Sequence, residues 1–90
     1  MHITDVRIRL FSQKEDRLRA VASITLDDCF VVHDIKLVER EQGGFLVLMP
    51  ARVCEDGERR DTAHPINRET RKMIEDAVIS RYREQKKRSE

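Results

Sequence analysis

The sequence contains no tryptophan and only one tyrosine and three phenylalanines among its 90 residues. A hydrophobic core must therefore consist mainly of valine, isoleucine and leucine. With two prolines, three glycines and two cysteines, the composition fits neither a low-complexity repeat nor a disulfide-rich scaffold. A chain of this length supports one small domain with one core.

Membrane and export signals are also missing. No segment approaches the roughly 18 apolar residues of a membrane span, and no basic stretch followed by an apolar one opens the chain. We therefore expect a soluble, cytoplasmic protein with no membrane partner. Cys29 and Cys54 form no C-x-x-C pair, so we expect both thiols to stay reduced.

The residues that bind metals or catalyse reactions are few and poorly spaced. No pair of histidines or cysteines has zinc-like spacing, and no glycine-rich phosphate loop is present. Cys54, Asp61 and His64 could be combined as nucleophile, orienting group and base, but an exposed turn would give them no deep pocket. We predict no enzymatic activity, no cofactor, no metal and no small-molecule substrate.

Alternating apolar and polar residues predict antiparallel strands over 3–10, 17–26, 29–39 and 45–49. The polar SQKED segment, Asp27-Asp28 and Gly43-Gly44 supply the turns between them. Pro50 ends the fourth strand or lies at its edge, and ERRDTA is a candidate for a last short strand.

The period-2 pattern also predicts which side chains face inward. In the second strand these are Leu18, Ala20, Ala22, Ile24 and Leu26, and in the third strand Val31, His33, Ile35 and Leu37 share one face. The aromatic residues are assigned mostly to the core, so base stacking receives little support.

Asn67 is a good N-cap, and apolar residues then recur at three- and four-residue steps from Arg68 to about Lys86. The predicted architecture is α+β: an antiparallel β-sheet of four to five strands followed by one C-terminal amphipathic helix. The domain spans residues 1–84, and residues 85–90 form a basic flexible tail. One helix cannot cover all the apolar strand surface, so we predict a homodimer formed through the sheet.

Charge is balanced overall but unevenly distributed. The net formal charge is +1, with 18 basic and 17 acidic side chains. The helix start and the preceding loop combine basic residues with a helix N-terminus, a favourable setting for an anion. We predict that this surface binds nucleic-acid phosphates, and its candidate residues are Arg52, Arg59, Arg60, Arg68, Arg71 and Lys72. Interspersed carboxylates leave internal salt bridges as the alternative interpretation.

The stretches ITDVRIR, RAVASITLDDCFVVHDIKLV, GGFLVLMP, DGERRDTAHPIN and IEDAVISRYRE resemble, in order and spacing, those of the SpoVG family (stage V sporulation protein G, or septation protein). The resemblance covers residues 1 to about 84. It implies a bacterial cytoplasmic regulator that forms homodimers, binds DNA and RNA, affects sporulation, septation or gene expression, and has no enzymatic activity.

One segment departs from the family pattern. After Met-Pro the family commonly has Ser-Lys-Arg-Thr-Pro-Asp-Gly-Glu. Here Arg52 keeps the first cation, Val53 lacks the second and Glu55 adds an opposing charge. Arg59 occupies a position that is usually apolar or aromatic in the family, so the missing cation could have moved there. A protein-interaction module that recruits a cell-division or regulatory partner, with only weak nucleic-acid binding, remains the alternative function.

Overall fold

A computed structural model describes residues 1–11 and 17–89 of the chain, so the turn expected at SQKED lies outside the described residues. The elements are β1 (Ile3–Leu10), β2 (Leu18–Leu26), β3 (Phe30–Glu39), β4 (Phe45–Leu48), β5 (Ala51–Val53), β6 (Arg59–Asp61) and α1 (Arg68–Ser89). The α+β prediction is confirmed. The helix continues through Ser89, past its expected end near Lys86.

Strands β1 to β4 form one antiparallel sheet in sequence order, and β5 and β6 form a separate two-stranded ribbon. The two predicted turns that fall on described residues occur at the expected positions. Asp27 and Asp28 have φ angles of 50° and 54°, and Gly43 and Gly44 have 95° and 78°. Asp27 and Asp28 are the two central residues of a turn that closes with the Cys29 amide donating to the Leu26 carbonyl at 3.0 Å, as a primed hairpin turn requires. Gly43 and Gly44 instead follow the central residues Glu41 and Gln42 of a turn in which the Gly43 amide donates to the Arg40 carbonyl, so their positive φ angles do not form a primed turn.

Strand β3 contains a bulge at its middle. Ala22 pairs with Ile35 whereas Ile24 pairs with Val32, so β3 has one residue more than β2 between these two pairs. Asp34 lies within this interval and has a φ of 63°. Aspartate tolerates such left-handed angles better than most residues, and an extra residue of this kind reverses the alternation of faces along a strand.

The bulge makes the predicted faces of β3 wrong in the first half of the strand. Ile35 and Leu37, which follow the bulge, are buried as expected. Before the bulge, Val32 is the residue that packs against the same core. Val31 and His33 are exposed instead.

A second register shift moves Leu18 out of the predicted core. Leu18 pairs with Val38 whereas Ala20 pairs with Leu37, so Arg19 is the extra residue on β2. Directly paired residues share a face of the sheet. Leu18 therefore lies on the face of Val38, opposite to that of Ala20.

The core lies between one face of the sheet and α1. Ile35, Leu37 and Val78 are fully buried, and α1 packs mainly along β1. The Gln85 side chain donates a hydrogen bond of 2.9 Å to the Ile8 carbonyl and ties the helix to that strand. The helix leaves the other face of the sheet uncovered. We call it the open face, and its residues include Asp5, Arg7, Arg9, Leu18, Val21, Ser23, Thr25, Val31, His33, Lys36, Val38, Leu46 and Leu48.

No helix among residues 1–11 and 17–89 is long and apolar enough to cross a membrane.

Candidate nucleic-acid interface

The β5–β6 ribbon separates the three predicted loop arginines between its two faces. Arg52 pairs directly with Arg60, and Val53 pairs directly with Arg59. Direct partners in an antiparallel pair project to the same side, and neighbours along a strand project to opposite sides. One face of the ribbon therefore carries Arg52 and Arg60, and the other carries Arg59 beside Val53.

The turn of the ribbon engages one of these arginines and leaves the other two unpaired. Asp56 and Glu58 accept from the Arg60 guanidinium at 3.3 and 3.5 Å. The like charges of Arg52 and Arg60 would repel each other across the ladder, and the two carboxylates offset that repulsion. Within the described residues neither Arg52 nor Arg59 has an acidic partner.

The two strands of the ribbon are joined by a tight turn around Gly57. Gly57 has a φ of 82°, and its amide donates to the Cys54 carbonyl at 2.9 Å. An open depression of about 470 Å³ lies at this turn. Arg52 and Arg60 line it together with Glu55 and Asp56, so its walls carry both signs of charge.

The start of α1 presents the second group of predicted cations. The Asn67 side chain accepts a hydrogen bond of 2.8 Å from the Thr70 amide, which confirms the predicted N-cap. Arg68, Arg71 and Lys72 are exposed and have no acidic partner in the part of the chain that the structure describes.

A shallow depression of about 430 Å³ lies beside this first turn and is lined by His64, Pro65, Ile66, Asn67, Arg68 and Arg71. The His64 ring contacts the Pro65 carbonyl through Nδ1 at 3.1 Å. Ile66 is 89% exposed at its rim. Arg68 and Arg71 thus share one depression at the helix start, whereas Arg52 and Arg60 share another at the ribbon turn.

Residues 1–11 and 17–89 contain no group of three or more histidines, cysteines, aspartates or glutamates that could hold a metal ion. Cys29 is exposed, Cys54 is half-buried, and both are free thiols.

Sequence reasoning missed a further set of basic residues on the open face of the main sheet. The alternation of β1 places Arg7 and Arg9 on its outward face, but neither is among the six predicted site residues. Their neighbours Ser23 and His33 are joined by a hydrogen bond of 2.8 Å between Oγ and Nδ1. The outward alternation of β1 was the available signal, whereas the position of His33 depends on the bulge at Asp34.

The fold and these surfaces define a small α+β protein with exposed cations on a β-ribbon, a helix start and an uncovered sheet face. Comparison with known proteins assigns its family. The SpoVG family model matches residues 1–84, and the chain belongs to the SpoVG family.

Three relatives illustrate the similarity. The SpoVG protein of Caldicellulosiruptor bescii is 52% identical over 82 residues, which cover 91% of both chains. That of Agathobacter rectalis is 53% identical over 83 residues, covering 92% of this chain and 93% of the relative. That of Bacillus cytotoxicus is 54% identical over 82 residues, covering 91% and 82%. Each of these relatives is named as a septation protein.

Proposed function

We propose that the protein is a homodimeric, nucleic-acid-binding regulator that acts in the cytoplasm on DNA, RNA or both. Its effect falls on septation, sporulation or gene expression, and its action involves no enzymatic step, cofactor or small-molecule substrate. The cations on the ribbon and at the helix start contact phosphates, and two-fold symmetry presents each group twice to one nucleic acid.

The observation that supports this proposal best is the number of exposed cations without an internal partner. Arg60 is held by carboxylates, but the other five predicted site residues have no acidic partner among the described residues. A guanidinium or ammonium group that is already paired must break that contact to bind a phosphate, whereas an unpaired one only loses water. The five residues are Arg52, Arg59, Arg68, Arg71 and Lys72.

A salt titration tests this function. Mobility shifts with pools of DNA and RNA should show log affinity falling linearly with log salt, because binding releases counterions from phosphates. Replacing Arg71 and Lys72 by alanine should reduce the slope on duplex DNA by about 1.8, at roughly 0.9 per phosphate contact. If the parent protein shifts neither pool at low salt, the proposal fails.

The open face supports the homodimer. Leu18, Val38 and Leu46 form one row across β2, β3 and β4, and Leu48 lies next to that row on β4. Leu46 is 36% exposed, so this apolar group still faces water in the single chain. A second copy of the chain would bury this apolar group. It would not bring the arginines of β1 together, because β1 is the edge strand farthest from β4.

Replacing Leu46 by lysine should therefore give a monomer of 10.6 kDa, whereas the parent has twice that mass. A lysine at this position would place a charge in an apolar contact, at a cost that a small interface does not offset. Light scattering coupled to gel filtration measures the mass. Ile66→Lys is the matched control, because Ile66 is exposed but lies outside the open face. A dimeric Leu46→Lys protein would exclude this interface.

Two exposed apolar residues favour the alternative function, a module that recruits a cell-division or regulatory protein. Ile66 is 89% exposed and Val53 is 72% exposed, and residues of this kind often anchor protein contacts. This alternative predicts no salt-dependent mobility shift. It also predicts that Ile66→Ser abolishes co-purification of a cellular protein while leaving the dimer intact.

A further inference from the structure

The β1 side of the open face carries a second set of cations that the six predicted residues do not include. Arg9, Val21 and Lys36 are in register across β1, β2 and β3. With strands about 4.8 Å apart, the backbones that carry Arg9 and Lys36 are about 10 Å apart. Arg7 is two residues from Arg9 on the same face, about 7 Å along the strand.

A depression of about 450 Å³ lies at this position and is lined by Arg7, Ile8, Arg9, Val21, Ser23, His33 and Asp34. The hydrogen bond between the Ser23 hydroxyl and His33 Nδ1 holds the imidazole on this face. When the Ser23 hydroxyl donates to Nδ1, the other ring nitrogen carries a hydrogen that is available to an anion. The bulge at Asp34 is what brings this ring onto the surface.

The nearby carboxylates neutralise only part of the positive charge. Asp5 accepts from Arg7 at 3.2 Å, but the Arg7 side chain remains 86% exposed. Asp34 is exposed at the margin of the depression. Arg9 and Lys36 have no carboxylate partner among the described residues, so the row they form stays cationic.

One aromatic ring adjoins the row, contrary to the prediction that the aromatic residues belong mostly to the core. The Arg9 guanidinium lies 5.3 Å from the centroid of the Phe11 ring. Phe11 is half-buried, and its amide donates to the Arg19 carbonyl, which continues the pairing of β1 with β2. Phe11 follows the core residue Leu10 and therefore shares the face of Arg9.

We propose that this β1 surface, formed by Arg7, Arg9, Phe11, His33 and Lys36, binds a single-stranded segment of nucleic acid. The cations contact successive phosphates, and one base stacks on Phe11. Uncovered sheet faces with basic and aromatic side chains suit single strands, because unpaired bases can lie flat on them. The inference rests on the proposed function, and it adds a second binding surface and a preference for single-stranded nucleic acid.

A second copy of the chain does not suit this surface. Packing two β1 surfaces together would bring Arg7, Arg9 and Lys36 against their own copies, and like charges opposed in an interface are strongly unfavourable. The apolar row at the β4 side carries no such penalty. The arginines of β1 lie on the side of the open face away from the apolar row, and Lys36 lies at the boundary, because its direct partner on β4 is Leu48.

Anisotropy titrations with a labelled mixed-sequence single strand, and with its blunt duplex, test the inference on the full chain. Arg9→Gln with Lys36→Gln should weaken single-strand binding about tenfold. The same pair should lower the salt slope by about 1.4, at roughly 0.7 per contact for single strands. Duplex affinity should change much less. Phe11→Leu, which keeps an apolar side chain but removes the ring, should weaken only single-strand binding.

Arg81→Gln with Arg88→Gln is the matched control, because it removes two positive charges from residues that pair with Glu84 on the helix. If the Arg9–Lys36 variant binds the single strand no more weakly than this control, the β1 surface is excluded. The proposed function then still stands if the Arg71–Lys72 variant loses affinity. If the parent binds neither probe, both proposals fail together.

Discussion

Replacing Arg52 and Arg59 together by glutamine is expected to weaken nucleic-acid binding by about tenfold to a hundredfold. Both side chains are exposed and lack an acidic partner among the described residues, so each is available for a charge-assisted hydrogen bond to a phosphate. Because Arg52 and Arg59 project from opposite faces of the ribbon, their contacts involve different phosphates. We therefore expect the two single effects to be nearly additive.

The matched control for this prediction is Arg60→Gln, compared with Arg52→Gln and Arg59→Gln as single variants. All three change the net charge equally, so the long-range electrostatic effect is common to them. Arg60 differs because Asp56 and Glu58 already hold its guanidinium. We expect Arg60→Gln to cost no more than about threefold. Equal losses for Arg60→Gln and Arg52→Gln would contradict the assignment of the unpaired arginines as the contact residues.

These variants are best compared by electrophoretic mobility shift at several salt concentrations, with circular dichroism to check folding. The affinity difference should shrink as salt rises, because screening weakens exposed charges first. A loss of affinity that does not depend on salt would indicate damage to the ribbon and not the loss of a phosphate contact.

Local patterns in the sequence were sufficient to predict most of the fold. Alternation located the four strands of the main sheet, the Gly43-Gly44 pair marked a turn with positive φ, and Asn67 capped the helix. Each of these signals depends on residues close together in the chain, where backbone sterics and local hydrogen bonds decide the conformation. The ribbon at Ala51–Val53 and Arg59–Asp61 was only partly foreseen, since just its second strand was suggested.

The two register shifts between β2 and β3 could not be predicted because they depend on the pairing of residues far apart in the sequence. Asp34 adopts a left-handed conformation within a bulge whose two flanks pair with Ala22 and Ile24 on β2. A shift of one residue moves every following side chain to the other face. The positions of His33 and Leu18 were therefore mispredicted for the same physical reason.

The pairing in the ribbon supports the prediction that Arg59 supplies the cation that position 53 lacks. Val53 occupies that position, but its direct partner across the ribbon is Arg59. The Cβ atoms of directly paired residues are about 5 Å apart. A long arginine side chain at position 59 can thus place its charge close to where a cation at position 53 would lie.

Exchanging the two residues tests this relocation. Arg59→Val alone should weaken binding several-fold, and adding Val53→Arg should restore affinity to within about threefold of the parent, because the charge moves only across the ladder. Valine is well suited to a strand, so the exchange should not disturb the ribbon. Mobility shifts at low salt, with the same DNA and RNA for all variants, give the comparison.

The control exchange uses Arg52, the neighbour of Val53 along β5. Arg52→Val combined with Val53→Arg has the same composition as the parent ribbon, but it moves a cation from one face to the other. We expect this protein to remain as weak as Arg52→Val alone. Recovery in the control would mean that only the total charge of the ribbon matters. Suppose instead that affinity recovers when Arg59→Val is combined with Val53→Arg but not in the control exchange. This result would show that one face of the ribbon requires a cation, which either strand can supply.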